Sequence, residues 1–151
     1  RQIGAGALGQ HSFAHDALPQ PGWGMGHPAM IQPFLPSVVE EGEYTFVFID
    51  GAFSHGVLKR AAAGEYRIQS LYGGTELPFE PAASDLAQAE AVLGALPFAD
   101  LLYCRIDMAR LPSGELAVME AEAIEPYLYP EQGADLGPRV AKAIIRRLEE
   151  S

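Results

Sequence analysis

At 151 residues, 48% of them hydrophobic, the chain has the size and apolar content of one globular domain with a substantial core. Ten lysines and arginines against twenty aspartates and glutamates leave a formal charge of −10, which argues against nucleic acid as a partner, because phosphate backbones are bound by clustered cations. No apolar run approaches the roughly 20 residues that span a bilayer and no signal-peptide pattern opens the chain, so a cytoplasmic protein with no membrane partner is expected.

The chain enters at Arg1 rather than Met, directly on Gly4-Ala5-Gly6-Ala7-Leu8-Gly9, and is expected to be a piece of a longer protein. Gly4, Gly6 and Gly9 satisfy G-x-G-x-x-G, yet the dinucleotide-binding turn also needs a strand before it, a helix after it and an acid about 20 positions on. Residues 1–28 instead continue through Pro19, Pro21, Gly22, Gly24, Gly26 and Pro28 and read as loop. The backbone N–H groups of such a loop can still cover phosphates, and a plain terminal loop fits the same residues equally well. Ala29 to Leu35 is a short strand candidate ended by Pro36. Tyr44 to Ile49 and Phe53 to Leu58 flank Asp50-Gly51, which signals a β-hairpin. Glu65 to Tyr72 is a further strand candidate running into Gly73-Gly74, where the backbone is free to approach a ligand.

Ser84 to Leu96 predicts a helix, with Ser84 as N-cap, an inward stripe of Leu86, Ala89, Val92, Leu93 and Leu96, and Pro97 as its stop. Gly137-Pro138 opens a second helix through about Glu149, with Val140, Ala143, Ile144 and Leu148 facing inward. Between them, Leu101 to Arg110 and Glu115 to Ile124 are two apolar runs separated by Leu111-Pro112-Ser113-Gly114, a second hairpin. The single cysteine, Cys104, lies on the apolar parity of its strand and reads as a buried small hydrophobe. The sum is an α+β domain, a mainly antiparallel sheet covered by at least two helices.

The second hairpin carries the chemistry. Alternation places Tyr103, Arg105 and Asp107 on one face and Leu102, Cys104, Ile106 and Met108 on the other. On the return strand it places Leu116, Val118, Glu120, Glu122 and Ile124 together, in what reads as a buried strand. Closing the hairpin through Pro112 to Glu115 sets Asp107 across from Glu120 and Arg105 across from Glu122, with opposed Cβ atoms about 5 Å apart. Converging carboxylates must hold a proton or attract a cation. Oxygen ligands favour a hard metal, and magnesium is commonly held by one or two carboxylates together with substrate phosphates. Two plainer readings stand beside this one: a solvated edge strand, and a structural ion pair through Arg105. Lys59, Arg67 and Arg105, few among so many acids, are candidates to meet phosphate or carboxylate, or else ordinary ion-paired charges.

Taken in order, these segments resemble the ATP-grasp superfamily, most closely the branch of bacterial glutathione synthetases and related amino-acid ligases. Met30-Ile31-Gln32-Pro33-Phe34-Leu35-Pro36 looks like the interdomain strand whose backbone meets adenine, so the resemblance assigns Gln32, Pro33, Phe34 and Leu35 to ATP, with Gly4, Gly6 and Gly9 over its phosphates. Gly42 to Gly51 looks like the hairpin that follows. Glu65-Tyr66-Arg67 and Gly73-Gly74 look like the arginine and glycine-rich loop that close on the reacting groups. Asp107 and Glu120 match the family's magnesium ligands, while Glu122 stands where an asparagine is more usual. The resemblance implies a partial ATP-grasp fold: residues 1–28 as loop from the small subdomain, residues 29–151 as the C-terminal catalytic subdomain, and an N-terminal substrate domain absent from this chain.

It further implies an ATP- and magnesium-dependent carboxylate–amine ligase working through an acyl phosphate, with manganese as the alternative metal. Arg67, Lys59 and Arg105 would stabilise the phosphoryl group. The partners implied are ATP, a small carboxylate, a small amine and the missing N-terminal portion, and a homo-oligomer is left open. The family's lysine before the glycine loop is also absent, so the isolated chain is expected to be inactive. The alternative is a non-catalytic nucleotide-binding or protein-interaction module.

Overall fold

The computed structural model describes residues 11, 13, 14, 16, 17, 19, 20, 24, 26, 31–62 and 73–150. The strand expected at Glu65–Tyr72, the glycine motif Gly4, Gly6 and Gly9, and Arg67 lie outside them. Two compact units divide the chain, Arg1–Phe34 and Leu35–Ser151. In the first, residues 31–34 form no strand, and Ile31 and Phe34 are exposed.

The second unit opens with Leu35, also outside any strand, and a single helical turn, α1 (Ser37–Glu40). The strand expected over Ala29–Leu35 is therefore not formed at residues 31–35. Apolar residues and β propensity sufficed for the expectation, but among the described residues no strand pairs with this stretch.

Five strands follow: β1 (Glu43–Ile49), β2 (Ala52–Arg60), β3 (Thr75–Phe79), β4 (Tyr103–Arg110) and β5 (Leu116–Glu122). They form one antiparallel sheet in the order β3-β2-β1-β4-β5. Asp50 and Gly51, with φ of 54° and 77°, make the tight turn between β1 and β2. Positive φ at both central positions is the geometry that the Asp-Gly pair favours. The edge strand β3 was not foreseen. Its Pro78 argues against a central strand and is tolerated only at an edge, which is where it lies.

Alternation in β1 sends Tyr44, Phe46 and Phe48 to one face and Glu43, Thr45, Val47 and Ile49 to the other. The first face is the larger apolar core. Phe46, Phe48, Cys104, Ile106 and Met108 are buried there under Ala89 of α2 (Ala83–Ala95). Phe53 and Phe79 extend it as tilted and edge-on aromatic contacts with Phe46, centroids 6.4 and 6.1 Å apart. Each such side chain contributes about 1.5–3 kcal/mol by leaving water. Leu86, Val92, Leu93 and Leu96 pack against this core, as the helical stripe predicted. The predicted N-cap does not hold: α2 begins at Ala83 after Ala82, with no side-chain cap. Asp85 and Gln88 anchor it instead, Asp85 pairing with Arg110 at 2.7 Å and Gln88 accepting the Leu116 N–H at 2.8 Å.

The opposite face is apolar at one end, where Val47, Ile49 and Val57 are covered by Tyr129 and by Leu136 and Ala143 of α3 (Leu136–Glu149). Val140 packs there as expected. Ile144 and Leu148 do not face inward: they are 42% and 73% exposed. Α period of 3.6 residues marks one stripe, but only the start of α3 meets apolar cover, while its last turn is fixed by Arg146 and Arg147 to Asp50 in the β1–β2 turn. Among the described residues no helix is long and apolar enough to cross a membrane.

Candidate functional site

The other end of that second face is polar, and there the charged residues of four strands meet. Glu43 and Thr45 come from β1, Lys59 from β2, Arg105 and Asp107 from β4, and Glu120 and Glu122 from β5. The sheet register sets Glu43 opposite Lys59, Thr45 opposite Asp107, Asp107 opposite Glu120 and Arg105 opposite Glu122. Two β-bulges make this possible. One at Ser54 shifts β2 so that Lys59 lands beside Glu43. Another at Met119 shifts β5, so that Glu120 and Glu122 face Asp107 and Arg105 while Leu116 and Val118 turn to the apolar side with Met108. A bulge inserts one residue and reverses strand parity beyond it. Leu116 and Val118 therefore do not share a face with the glutamates. Nor is β5 a buried strand: it is the sheet edge, and Glu122 keeps 32% of its side chain exposed.

Asp107, 2% exposed, is the centre of the cluster. Its Oδ1 accepts the Thr45 hydroxyl at 2.6 Å and faces Lys59 Nζ at 3.1 Å, and its Oδ2 accepts Arg105 Nε at 3.1 Å. Arg105 continues to Glu122 at 2.9 Å and to the Tyr127 carbonyl at 3.3 Å. Lys59 also pairs with Glu43. Tyr129 roofs the group, with Lys59 Nζ 5.9 Å from its ring centroid and Tyr127 packed edge-on against it. Burial opposes the Lys59 ammonium, but Glu43 and Asp107 outweigh it and hold its pKa above the ordinary lysine range. Arg105 is raised in the same way, with Asp107 and Glu122 outweighing burial. Burial raises the carboxyl of Glu43, with Lys59 opposing. Burial likewise raises Glu122, opposed by Arg105 and reinforced by Glu120 and Asp107.

Glu122 thus gathers like charge from Glu120 and Asp107 at the sheet edge, where burial already disfavours its ionised form. A cation there would offset that charge. Among the described residues no group of three or more histidine, cysteine, aspartate or glutamate side chains is gathered as a ready metal cage. The donor set fits the lesser demand of magnesium, which takes one or two carboxylates and fills the remaining positions with water and phosphate.

Lys59, Arg105, Asp107, Glu120 and Glu122 are thus brought together on one face. Gln32, Pro33 and Phe34 belong to the first unit and Leu35 to the start of the second; all four are described without strand geometry. Three residues of the cluster were not singled out in the sequence, namely Glu43, Thr45 and Tyr129. The signal for the first two was a polar pair on one parity at the start of an otherwise apolar strand. Cys104 is buried as expected, and burial pushes its thiol pKa up.

No protein-family model matches the chain. It is 32% identical over 133 residues to the cycloserine biosynthesis protein DcsG of Streptomyces lavendulae, a match that covers 82% of this chain and 44% of that protein. The crystal structure of D-cycloserine synthetase DcsG superposes with a TM-score of 0.62 and 26% identity, over 78% of this chain and 41% of that one. A D-alanine–D-alanine ligase structure from Bacillus anthracis aligns at 24% identity over 72% of this chain and 40% of that one, with a TM-score of 0.48. The chain thus spans less than half the length of the proteins it matches. With its five-stranded antiparallel sheet, helical cover and similarity to DcsG, it resembles the ATP-grasp ligases and has a partial ATP-grasp fold of the C-terminal-domain type.

Proposed function

We propose that this chain is the C-terminal catalytic part of an ATP- and magnesium-dependent carboxylate–amine ligase. The observation that carries the reading is the convergence of two buried cations, Lys59 and Arg105, with Asp107, Glu120 and Glu122 on one sheet face of this fold. In the proposed reaction a substrate carboxylate oxygen attacks the γ-phosphorus of ATP and ADP leaves. An amine then attacks the acyl phosphate carbonyl, loses a proton, and phosphate departs.

Glu120 and Glu122 would hold magnesium, with one oxygen of Asp107 contributing; when bound, the ion offsets charge on the phosphate oxygens. Arg105 and Lys59 would stabilise the transferring phosphoryl group, aided by Arg67, through preorganised charge in a partly buried site. Tyr129 excludes water from the Lys59 side. No covalent side-chain nucleophile is needed. Gln32, Pro33, Phe34 and Leu35 are proposed to meet adenine, and Gly4, Gly6 and Gly9 the phosphates. The remaining half of a whole ligase would supply substrate selection, so this chain alone is expected to form ADP slowly or not at all; its setting would be the cytoplasm.

A second reading, a non-catalytic binding module of the same fold, is favoured by one observation: Lys59 and Arg105 already neutralise Asp107. Calorimetric titration with magnesium and ATP separates the two. The ligase reading expects binding that Asp107→Asn or Glu120→Gln abolishes, with no turnover by the wild-type chain alone. Absence of binding, even when the rest of a ligase is present, would favour a protein-interaction module.

A further inference from the structure

We propose that Thr45 is a positioning residue that decides which oxygen of Asp107 is available to a cation. The inference rests on the metal site proposed above. An ionised carboxylate has about four lone-pair sites, two on each oxygen. On Asp107, Oδ1 receives both the Thr45 hydroxyl at 2.6 Å and Lys59 Nζ at 3.1 Å, so its two sites are filled. Oδ2 receives Arg105 Nε at 3.1 Å and keeps one site. Asp107 can therefore ligate through Oδ2 alone, with a single bond.

The arrangement is rigid. Thr45 is fully buried in the central strand β1, its register partner is Asp107 itself, and its β-branched side chain has few rotamers to sample. Lys59 is held on its far side by Glu43, so neither donor is free to swing away from Oδ1. Removing the hydroxyl would leave Oδ1 with one donor and let the carboxylate rotate about its last bond. Oδ2 would then lose its fixed direction, although nothing touching the cation had been changed. Outer partners of ligating side chains typically carry such effects, about 10- to 100-fold in metal affinity.

The test is a manganese titration of the 151-residue chain, following free Mn2+ by electron paramagnetic resonance, in wild type, Thr45→Val, Thr45→Ser and Thr45→Ala. The expected result is wild-type binding, a loss of about 10- to 100-fold in Thr45→Val, and recovery in Thr45→Ser at comparable thermal stability. If the valine variant does not fold, the serine and alanine variants, which differ only by the hydroxyl, give the same comparison. Wild-type binding with undiminished affinity in Thr45→Val, or equal losses in the serine and alanine variants, overturns this inference alone. A wild-type chain that binds no Mn2+ overturns the metal-site reading and this inference together.

Discussion

Replacing Lys59 with methionine keeps most of the side-chain volume but removes the ammonium between Glu43 and Asp107. Asp107 retains Arg105 and the Thr45 hydroxyl, whereas Glu43 loses its direct partner while remaining 8% exposed. Removing one member of a buried pair strands the other charge, at a cost of about 3–5 kcal/mol. For a protein of this length that lowers the melting temperature by about 6–20 °C. The cost depends on pH with a definite sign. Burial already raises the Glu43 carboxyl above its ordinary 4.5, and without Lys59 it rises further. A group whose folded pKa is raised contributes stability that is present below its unfolded pKa and is lost as pH rises through the folded one. The deficit against wild type should therefore be smallest below pH 4.5 and grow as pH rises toward the folded Glu43 pKa. Urea unfolding of both proteins across that range measures it, and adding Glu43→Gln to the variant should recover most of the loss. A deficit below about 1 kcal/mol at pH 7, the level of an exposed pair, or one that does not change with pH, would refute the buried-triad account.

Gly42 enters β1 at φ 118°, and a Cβ there would collide with the Lys59 carbonyl, so Gly42→Ala should destabilise by about 3 kcal/mol in denaturant titration; a change under about 0.5 kcal/mol would mean the strand entry can relax. His55 is held below its ordinary pKa of 6.5 by burial, against its hydrogen bond to the Leu128 carbonyl. Protonation is thus favoured in the unfolded chain, and wild-type stability should fall as pH drops below 6.5 toward the folded value. His55→Gln should flatten that part of the curve, and parallel curves for the two proteins would contradict the assignment. On α3, Leu148→Gln should leave stability within about 0.5 kcal/mol of wild type, while Leu136→Ala should cost about 2–4 kcal/mol by opening the apolar cover over Val47 and Val57. Equal effects at the two positions would place the inward stripe of α3 where periodicity alone put it.

Local chemistry made much of the sheet legible. Asp50-Gly51 specifies its turn, the parity of Cys104, Ile106 and Met108 against Arg105 and Asp107 is clean, and Leu86 to Leu96 carries a full helical stripe. The pairing of Asp107 with Glu120 was also reached from sequence, but by a route the structure does not take. The hairpin closes one residue earlier, with Leu111 N–H bonded to the Glu115 carbonyl, and the bulge at Met119 restores the register. The bulge at Ser54 was invisible, and with it the meeting of Glu43 and Lys59, because an ideal two-residue hairpin puts Lys59 on the opposite face. Bulges are settled by which face can bury its side chains, a tertiary contest that composition does not encode. The same limit explains Ile144 and Leu148, whose periodicity is real but whose apolar cover ends before them.

The central claim is that the sheet face around Asp107, Glu120 and Glu122 takes a divalent cation. Paramagnetic broadening of backbone amide signals by substoichiometric Mn2+ in a 15N-labelled sample locates the cation directly. The account predicts that signals of residues 105–107 and 120–122 disappear first, that Thr45 and Lys59 follow, and that Glu120→Gln removes the effect. Broadening centred instead on the exposed acids at the C-terminal end of α3, Glu149 and Glu150, with residues 105–107 and 120–122 unchanged, would contradict it.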